Sequence, residues 1–126
     1  MHRVSVQTTQ KREIIDITDK ISSLLGASAA LNHIFVMHTT AAITTMDLDP
    51  GTDLDFLEAL DGLLPDINWR HPHDPAHTPD HLLASLIGPD VSVPSEDGQL
   101  LLGTWQRIVL VEFDGPRERT ITVSQL

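Results

Sequence analysis

The stretch from Leu100 to Arg117, LLLGTWQRIVLVEFDGPR, limits the fold more than any other part of the chain. Its centre, Ile108-Val109-Leu110-Val111, is an unbroken run of β-branched residues and leucine. Such a run predicts a strand covered on both faces, not a half-wet edge. Gly103 interrupts the entry to this strand and predicts a bulge or a close backbone approach. Asp114-Gly115-Pro116 reads as a turn, with Arg117 to Val123 returning as a second strand of a hairpin. Gln106, Glu112 and Arg117 are polar groups bracketing an apolar strand. A buried carboxylate is costly by several kcal/mol, on the order of a domain's whole stability margin, unless it is paired or ligates something. The hairpin is therefore either a well-paired core element or one wall of a site.

The remaining chain fits one domain over residues 1–126. A chain of this length buries about two-thirds of its unfolded surface, enough for a core. The formal charge of −10 comes without any lysine-arginine block. Phosphate-backbone binding needs a basic footprint, so nucleic acid and anionic membrane are excluded as expected partners, and a cation is favoured. No apolar run approaches the roughly 20 residues that span a bilayer. The first residues contain no apolar stretch of signal-peptide type, and cysteine is absent, which together predict a cytoplasmic location.

In chain order, residues 3–9 alternate as a strand, and residues 13–17 alternate again as its expected hairpin partner. Thr18 is positioned to cap a short helix that ends at Gly26. Residues 31–38 predict a strand apolar on both faces, and residues 39–46 a turn and another strand. Asp49-Pro50-Gly51 breaks the pattern. Thr52 then caps a helix carrying Leu54, Leu57, Leu60, Leu63 and Leu64, which Pro65 ends. Residues 66–79 have no periodicity and are rich in proline and histidine, as functional or disordered loops are. Pro79-Asp80 opens a third helix, stopped by Gly88-Pro89. Val91–Val93 is a short strand, and Glu96-Asp97-Gly98 turns into the central stretch. Strands in adjacent runs with few helices predict an α+β fold with a mostly antiparallel sheet.

Five histidines, His38, His71, His73, His77 and His81, concentrate the candidate chemistry. Neutral imidazole with carboxylates suits Zn²⁺, Fe²⁺ or Mn²⁺. His73 and His77 are read as solvated loop residues. His38 is open to two roles, a core histidine bonded to a carbonyl or a ligand. The acids from Asp47 to Asp55 fit a helix start favoured by its dipole. Trp69 and Trp105 read as packing residues. Glu112 is either a core-edge acid paired with Arg117 or Arg119, or a site residue. No phosphate-binding glycine loop or nucleophile elbow is present, and Ser85 on its helix reads first as a small packing residue.

Four segments together resemble the YjbQ family of small bacterial and archaeal proteins, often labelled secondary thiamine-phosphate synthases. They are His38-Thr39-Thr40-Ala41-Ala42-Ile43; the Asp49-Pro50 helix entry; Pro79-Asp80-His81 with Ala84-Ser85-Leu86-Ile87-Gly88; and Gly98 through Gly103-Thr104-Trp105-Gln106 to Glu112 and Asp114-Gly115-Pro116-Arg117. The resemblance implies an α+β antiparallel fold assembled as a homotrimer. It also implies a polar cleft between subunits, lined at the positions of His38, His71 and His81, with roles for Gln106 and Glu112. One departure stands out. This chain has Met46-Asp47 where members commonly carry Asn-Glu, with one residue fewer before Asp49.

Two functional readings follow, with a third as their foil. In the first the chain is an enzyme for metal-assisted transfer or hydrolysis on a small phosphorylated or heterocyclic substrate, thiamine-phosphate synthesis included. His38, His71 and His81 would hold a divalent metal (Zn, Mn, Fe or Mg), and His38, Glu112 and Asp47 would supply acid–base chemistry. Thr39, Gln106, Arg117 and Ser85 would contact the substrate. Joining a pyrophosphorylated pyrimidine to a thiazole phosphate calls for Mg²⁺ and several donors, and Arg70, Arg107, Arg117 and Arg119 are the available cations. In the second reading the same cleft binds a metal or metabolite without turnover. In the third the trimer is purely structural.

Overall fold

The structure, a computed structural model, describes all residues from Met1 to Leu126. Eight strands form two antiparallel sheets. The strands are β1 (His2–Gln7), β2 (Glu13–Asp16), β3 (Ala30–Val36), β4 (Ala41–Met46), β5 (Asp90–Glu96), β6 (Gln99–Leu100), β7 (Arg107–Glu112) and β8 (Glu118–Gln125). One sheet runs β1-β8-β3-β5-β6 and the other β2-β7-β4. The helices are α1 (Thr18–Ser22), α2 (Thr52–Asp61) and α3 (Thr78–Ile87). The class is α+β with antiparallel sheets, as the order of elements predicts.

β7 explains the layering. Its residues Ile108 and Leu110 join Ile34, Val36, Ile121 and Val123 in a core between the two sheets. The alternate residues Val109 and Val111 join Leu83, Ala84 and Phe113 under the helices. All four β7 residues are 0% exposed. Successive strand residues point to opposite faces, so an unbroken apolar run is what a middle layer requires. The five-stranded sheet thus lies on one side of the three-stranded sheet, and α2 and α3 cover the other.

Neither expected hairpin forms. β1 pairs with β8, and β2 pairs with β7. Thr8 to Arg12 carries the chain from one sheet to the other. Asp114 to Arg117 does the same, so β7 and β8 belong to different sheets. The turn residues bend the chain as predicted, but a middle strand is best covered by neighbours on both sides, and β2 and β4 supply them. Gly115 is needed at the crossing. A Cβ there would lie 2.8 Å from Thr8 Oγ1 and 2.9 Å from Glu112 Cγ, and would overlap the Gln10 carbonyl oxygen.

Other boundaries shift for local reasons. Thr18 does not cap α1; its hydroxyl accepts the Ile108 N–H at 2.9 Å, and Asp16 Oδ1 accepts the Thr18 N–H. α2 begins after Gly51, which has φ 90°, and ends at Gly62 before Pro65. Its residues remain at least partly exposed, because one helix lying over a three-stranded sheet covers only a narrow stripe. Gly103 is not a bulge within a strand but the first residue of a turn that ends where β7 begins. The β5–β6 hairpin turns on Asp97 and Gly98, both with positive φ, the conformation of a tight two-residue hairpin turn. β3 also departs from expectation. Asn32, Ile34 and Val36 are buried, but Leu31, Phe35 and Met37 are 41%, 36% and 50% exposed, on the open face of the five-stranded sheet.

Candidate functional site

The register of β4 against β7 divides the predicted site residues into two groups. Ala41 pairs with Glu112 at one end, and Met46 pairs with Arg107 at the other. A six-residue strand separates these ends by about 17 Å. His38, Thr39 and Arg117 lie in chain just beyond the first end; Asp47 and Gln106 lie beyond the second. The expected catalytic set of His38, Glu112 and Asp47 therefore does not come together within one chain.

At the first end, His38, Thr39, Ala41, Ala84, Ser85 and Pro89 line a hollow of about 180 Å³. The His38 Nε2 accepts the Thr120 N–H at 2.9 Å. A neutral imidazole has one nitrogen lone pair and one N–H, so this bond leaves Nδ1 as the donor. Burial lowers the proton affinity of His38, and the nearby Arg119 and Arg117 lower it further against the opposing pull of Glu112. The ring is thus held neutral, with its N–H on Nδ1.

The three histidines expected to hold a metal do not gather in one chain. His71 and His81 stack, with ring centroids 5.0 Å apart and planes inclined by 15°. His38 does not join them within ligand distance. The lone pairs tell the same story: Thr120 N–H occupies that of His38, and Asp74 N–H approaches His71 Nδ1 at 3.3 Å. Within one chain, a metal at either ring would have to displace a backbone donor.

Glu112 is fully buried and already satisfied. Its carboxylate accepts from Thr8 Oγ1 at 2.7 Å, from the Asp114 N–H at 3.2 Å and from the guanidinium of Arg119. Arg119, 1% exposed, also donates to the hydroxyl and carbonyl of Thr40 at 2.8 and 3.1 Å. Burial pushes the Glu112 carboxyl up, but Arg119, Thr8 and the Asp114 amide together hold it below its ordinary value. Of the two partners expected for Glu112, Arg119 is the one found; Arg117 turns instead to Asp114, at 2.9 Å. Glu112 closes the inter-sheet core and offers no free oxygen to the hollow.

At the second end, the Gln106 side chain fixes its own turn. Its Oε1 accepts the Gly103 N–H, and its Nε2 donates to Thr45 Oγ1, both at 3.0 Å. Trp105 is not a packing residue within this chain; it stands 72% exposed at the tip of that turn. It separates two shallow hollows of about 310 and 410 Å³, both of which Asp47 also lines. Arg107 is taken by Asp16 at 2.7 Å and Asp19 at 3.3 Å.

One three-donor cluster was not legible. Ring and carboxylate atoms of His77, Asp80 and Asp114 all lie within 4.8 Å of one another. The sequence marks His77 as a solvated loop residue and Asp80 as the start of a helix. The only hint in the sequence is Asp114, directly before the glycine-proline turn.

The family model described as UPF0047 protein YjbQ-like matches residues 2–126. A UPF0047 protein of Archaeoglobus fulgidus is 38% identical over 124 residues, covering 98% of both chains. One from Mycobacterium tuberculosis is 41% identical over 121 residues, covering 92% of this chain and 90% of its own. The crystal structure of an uncharacterized conserved protein of the same family from Clostridium acetobutylicum superposes with a TM-score of 0.90 at 35% identity, over 100% of both chains.

Proposed function

The chain belongs to the UPF0047 YjbQ-like family, and on that premise we propose that it binds a small anionic metabolite, a phosphorylated one above all, at the His38 hollow. The observation that carries this reading is the Thr120 N–H bond to His38 Nε2, which fixes the ring as a neutral donor. Thr39 and Ser85 add hydroxyl donors to the same hollow. Arg117 and Arg119 lie close enough to act on His38, and Arg117, half-exposed beside Asp114, is the cation that can turn to an anion there. At about 180 Å³ the hollow is smaller than the range of drug-sized sites and matches one phosphoryl or carboxylate group. The rest of the ligand lies outside it, where a neighbouring subunit would complete the cleft. The exposed apolar row Leu31, Phe35 and Met37 supports self-association, in keeping with the trimer that the resemblance implies.

Binding without turnover is favoured over catalysis. A neutral His38 whose lone pair is engaged cannot take up a proton, and a general base needs that lone pair. Transfer or hydrolysis on the same ligand, of which thiamine-phosphate synthesis is one example, opens only if a bound substrate releases His38 from Thr120. The histidine metal set gives this reading no support. Calorimetric titration with inorganic phosphate and pyrophosphate tests the proposal. Saturable binding by the wild-type chain, lost in His38→Ala and weakened in Ser85→Ala and Arg117→Ala, is expected. Absent binding by folded protein, or binding indifferent to all three changes, overturns it. Release of phosphate from small pyrophosphorylated substrates, abolished in His38→Ala, would move the assignment to an enzyme.

A further inference from the structure

We propose that His77, Asp80 and Asp114 form a site for a divalent cation of the Mn²⁺ or Zn²⁺ type, and that Lys11 is its built-in competitor. The site joins three segments that are remote in sequence: the crossing at Thr8–Arg12, the start of α3 and the crossing at Asp114–Arg117. One ligand atom from each of the three residues lies within 4.8 Å of the other two. Donors bound at about 2.0–2.2 Å stand roughly 3–3.6 Å apart at tetrahedral or cis-octahedral angles, so closing the set draws them together by up to roughly 1–2 Å, a movement that falls to the exposed His77 side chain.

A positive charge already sits there. Lys11 Nζ is 2.6 Å from Asp80 Oδ2 and 2.9 Å from Asp114 Oδ1. The opposite oxygen of each carboxylate is held by an arginine, Asp80 Oδ1 by Arg12 at 3.0 Å and Asp114 Oδ2 by Arg117 at 2.9 Å. Each arginine thereby leaves the other oxygen to Lys11, as outer hydrogen bonds orient metal-binding carboxylates. Asp80 is 1% exposed, so its carboxylate does not swing.

Lys11 accounts for the two aspartates but not for His77. The imidazole makes no hydrogen bond to Lys11, and its nearest charged contact is Asp74 at 3.4 Å. A lysine needs acceptors alone, whereas one imidazole with two carboxylates and water is an ordinary donor set for Mn²⁺ or Zn²⁺. The Lys11 side chain is half exposed and can leave for solvent without burying its charge. Arg12 and Arg117 oppose a second cation, which makes the site weak while Lys11 remains.

Titration of the full chain with Mn²⁺, and with Co²⁺ as an absorbing stand-in for Zn²⁺, tests this. Wild type is expected to take up one ion per chain weakly, and Lys11→Met to bind it tighter by on the order of tenfold or more. Adding His77→Ala to Lys11→Met should reverse the gain. Lys11→Gln takes the place of Lys11→Met if the latter fails to fold. Folded Lys11 variants that bind no tighter than wild type, or whose uptake ignores His77→Ala, overturn the proposal. The phosphate titration of His38 variants is a separate measurement, so either idea can fail alone.

Discussion

Glu112 and Arg119 join the two sheets through one buried ion pair. Glu112 ends β7 in the three-stranded sheet, and Arg119 lies on β8 in the five-stranded one. Their relative exposures are 0% and 1%. Thr8, Thr40 and the Asp114 amide supply the remaining hydrogen bonds. A buried pair is weak evidence for net stability, but a half-pair is strongly destabilising.

Removing one partner should therefore be worse than removing both. Glu112→Ala leaves the Arg119 guanidinium buried without a counter-charge, and a loss of about 3–5 kcal/mol is expected. The double change Glu112→Met with Arg119→Met should recover much of that loss. Urea denaturation of the three chains checks the order. A double variant less stable than Glu112→Ala would show that the pair contributes on its own account.

Acid should weaken the fold in two stages with the same sign. The folded pKa of His38 lies below the ordinary value of 6.5. Below that value the unfolded chain takes up a proton that the folded chain refuses, so stability falls as pH falls. The folded pKa of Glu112 lies below its ordinary 4.5. Its contribution is complete above 4.5 and is lost as pH drops through the folded value. Melting temperatures measured down from neutral pH should decline from near 6.5 and again below 4.5. His38→Gln, which does not titrate, should lose the upper stage and keep the lower.

The sequence conveyed burial better than pairing. Ile108 to Val111 announce a middle strand because an apolar run without alternation needs cover on both faces. Which strands cover it is a long-range property, and the short loops at Thr8–Arg12 and Asp114–Arg117 look like hairpin turns although they cross between sheets. Ile34 to Met37 show the limit of the same reading. They too are an apolar run, yet Phe35 and Met37 face outward. At the site, residue types pointed to histidine chemistry, but the role of His38 depends on which nitrogen meets Thr120. No spacing rule encodes that contact, or the approach of Lys11 to Asp80.

Gly115→Ala should be among the more damaging single-methyl additions. The new Cβ would meet Thr8 Oγ1, Glu112 Cγ and the Gln10 carbonyl oxygen, and the last of these is backbone. Gly115 N–H also donates to the Lys11 carbonyl at 3.1 Å, so the two crossings cannot part without losing that bond. Overpacking of this kind costs about 1–3 kcal/mol, and more where backbone must move. A melting temperature within a degree of wild type would show that the crossings are looser than their contacts imply.

The molecule has two outer layers, and each exposes apolar side chains. Leu31, Phe35 and Met37 form a row on the five-stranded sheet, and Leu54 stands 67% exposed on α2 in the helical layer. The row, interrupted only by His33 with its 2.7 Å contact to Asp90, lies on an open sheet face and is the better surface for self-association, because singly exposed apolar residues are ordinary. The outward neighbours of the row include Thr120, Thr122 and Ser124 on β8. Phe35→Glu or Met37→Glu, each placing a charge in that row, should shift the sedimenting species to lower mass. Leu54→Glu should leave the species unchanged. A natively folded Phe35→Glu chain that keeps its wild-type mass would rule out this face, and a lighter Leu54→Glu species would move the contact to the helices.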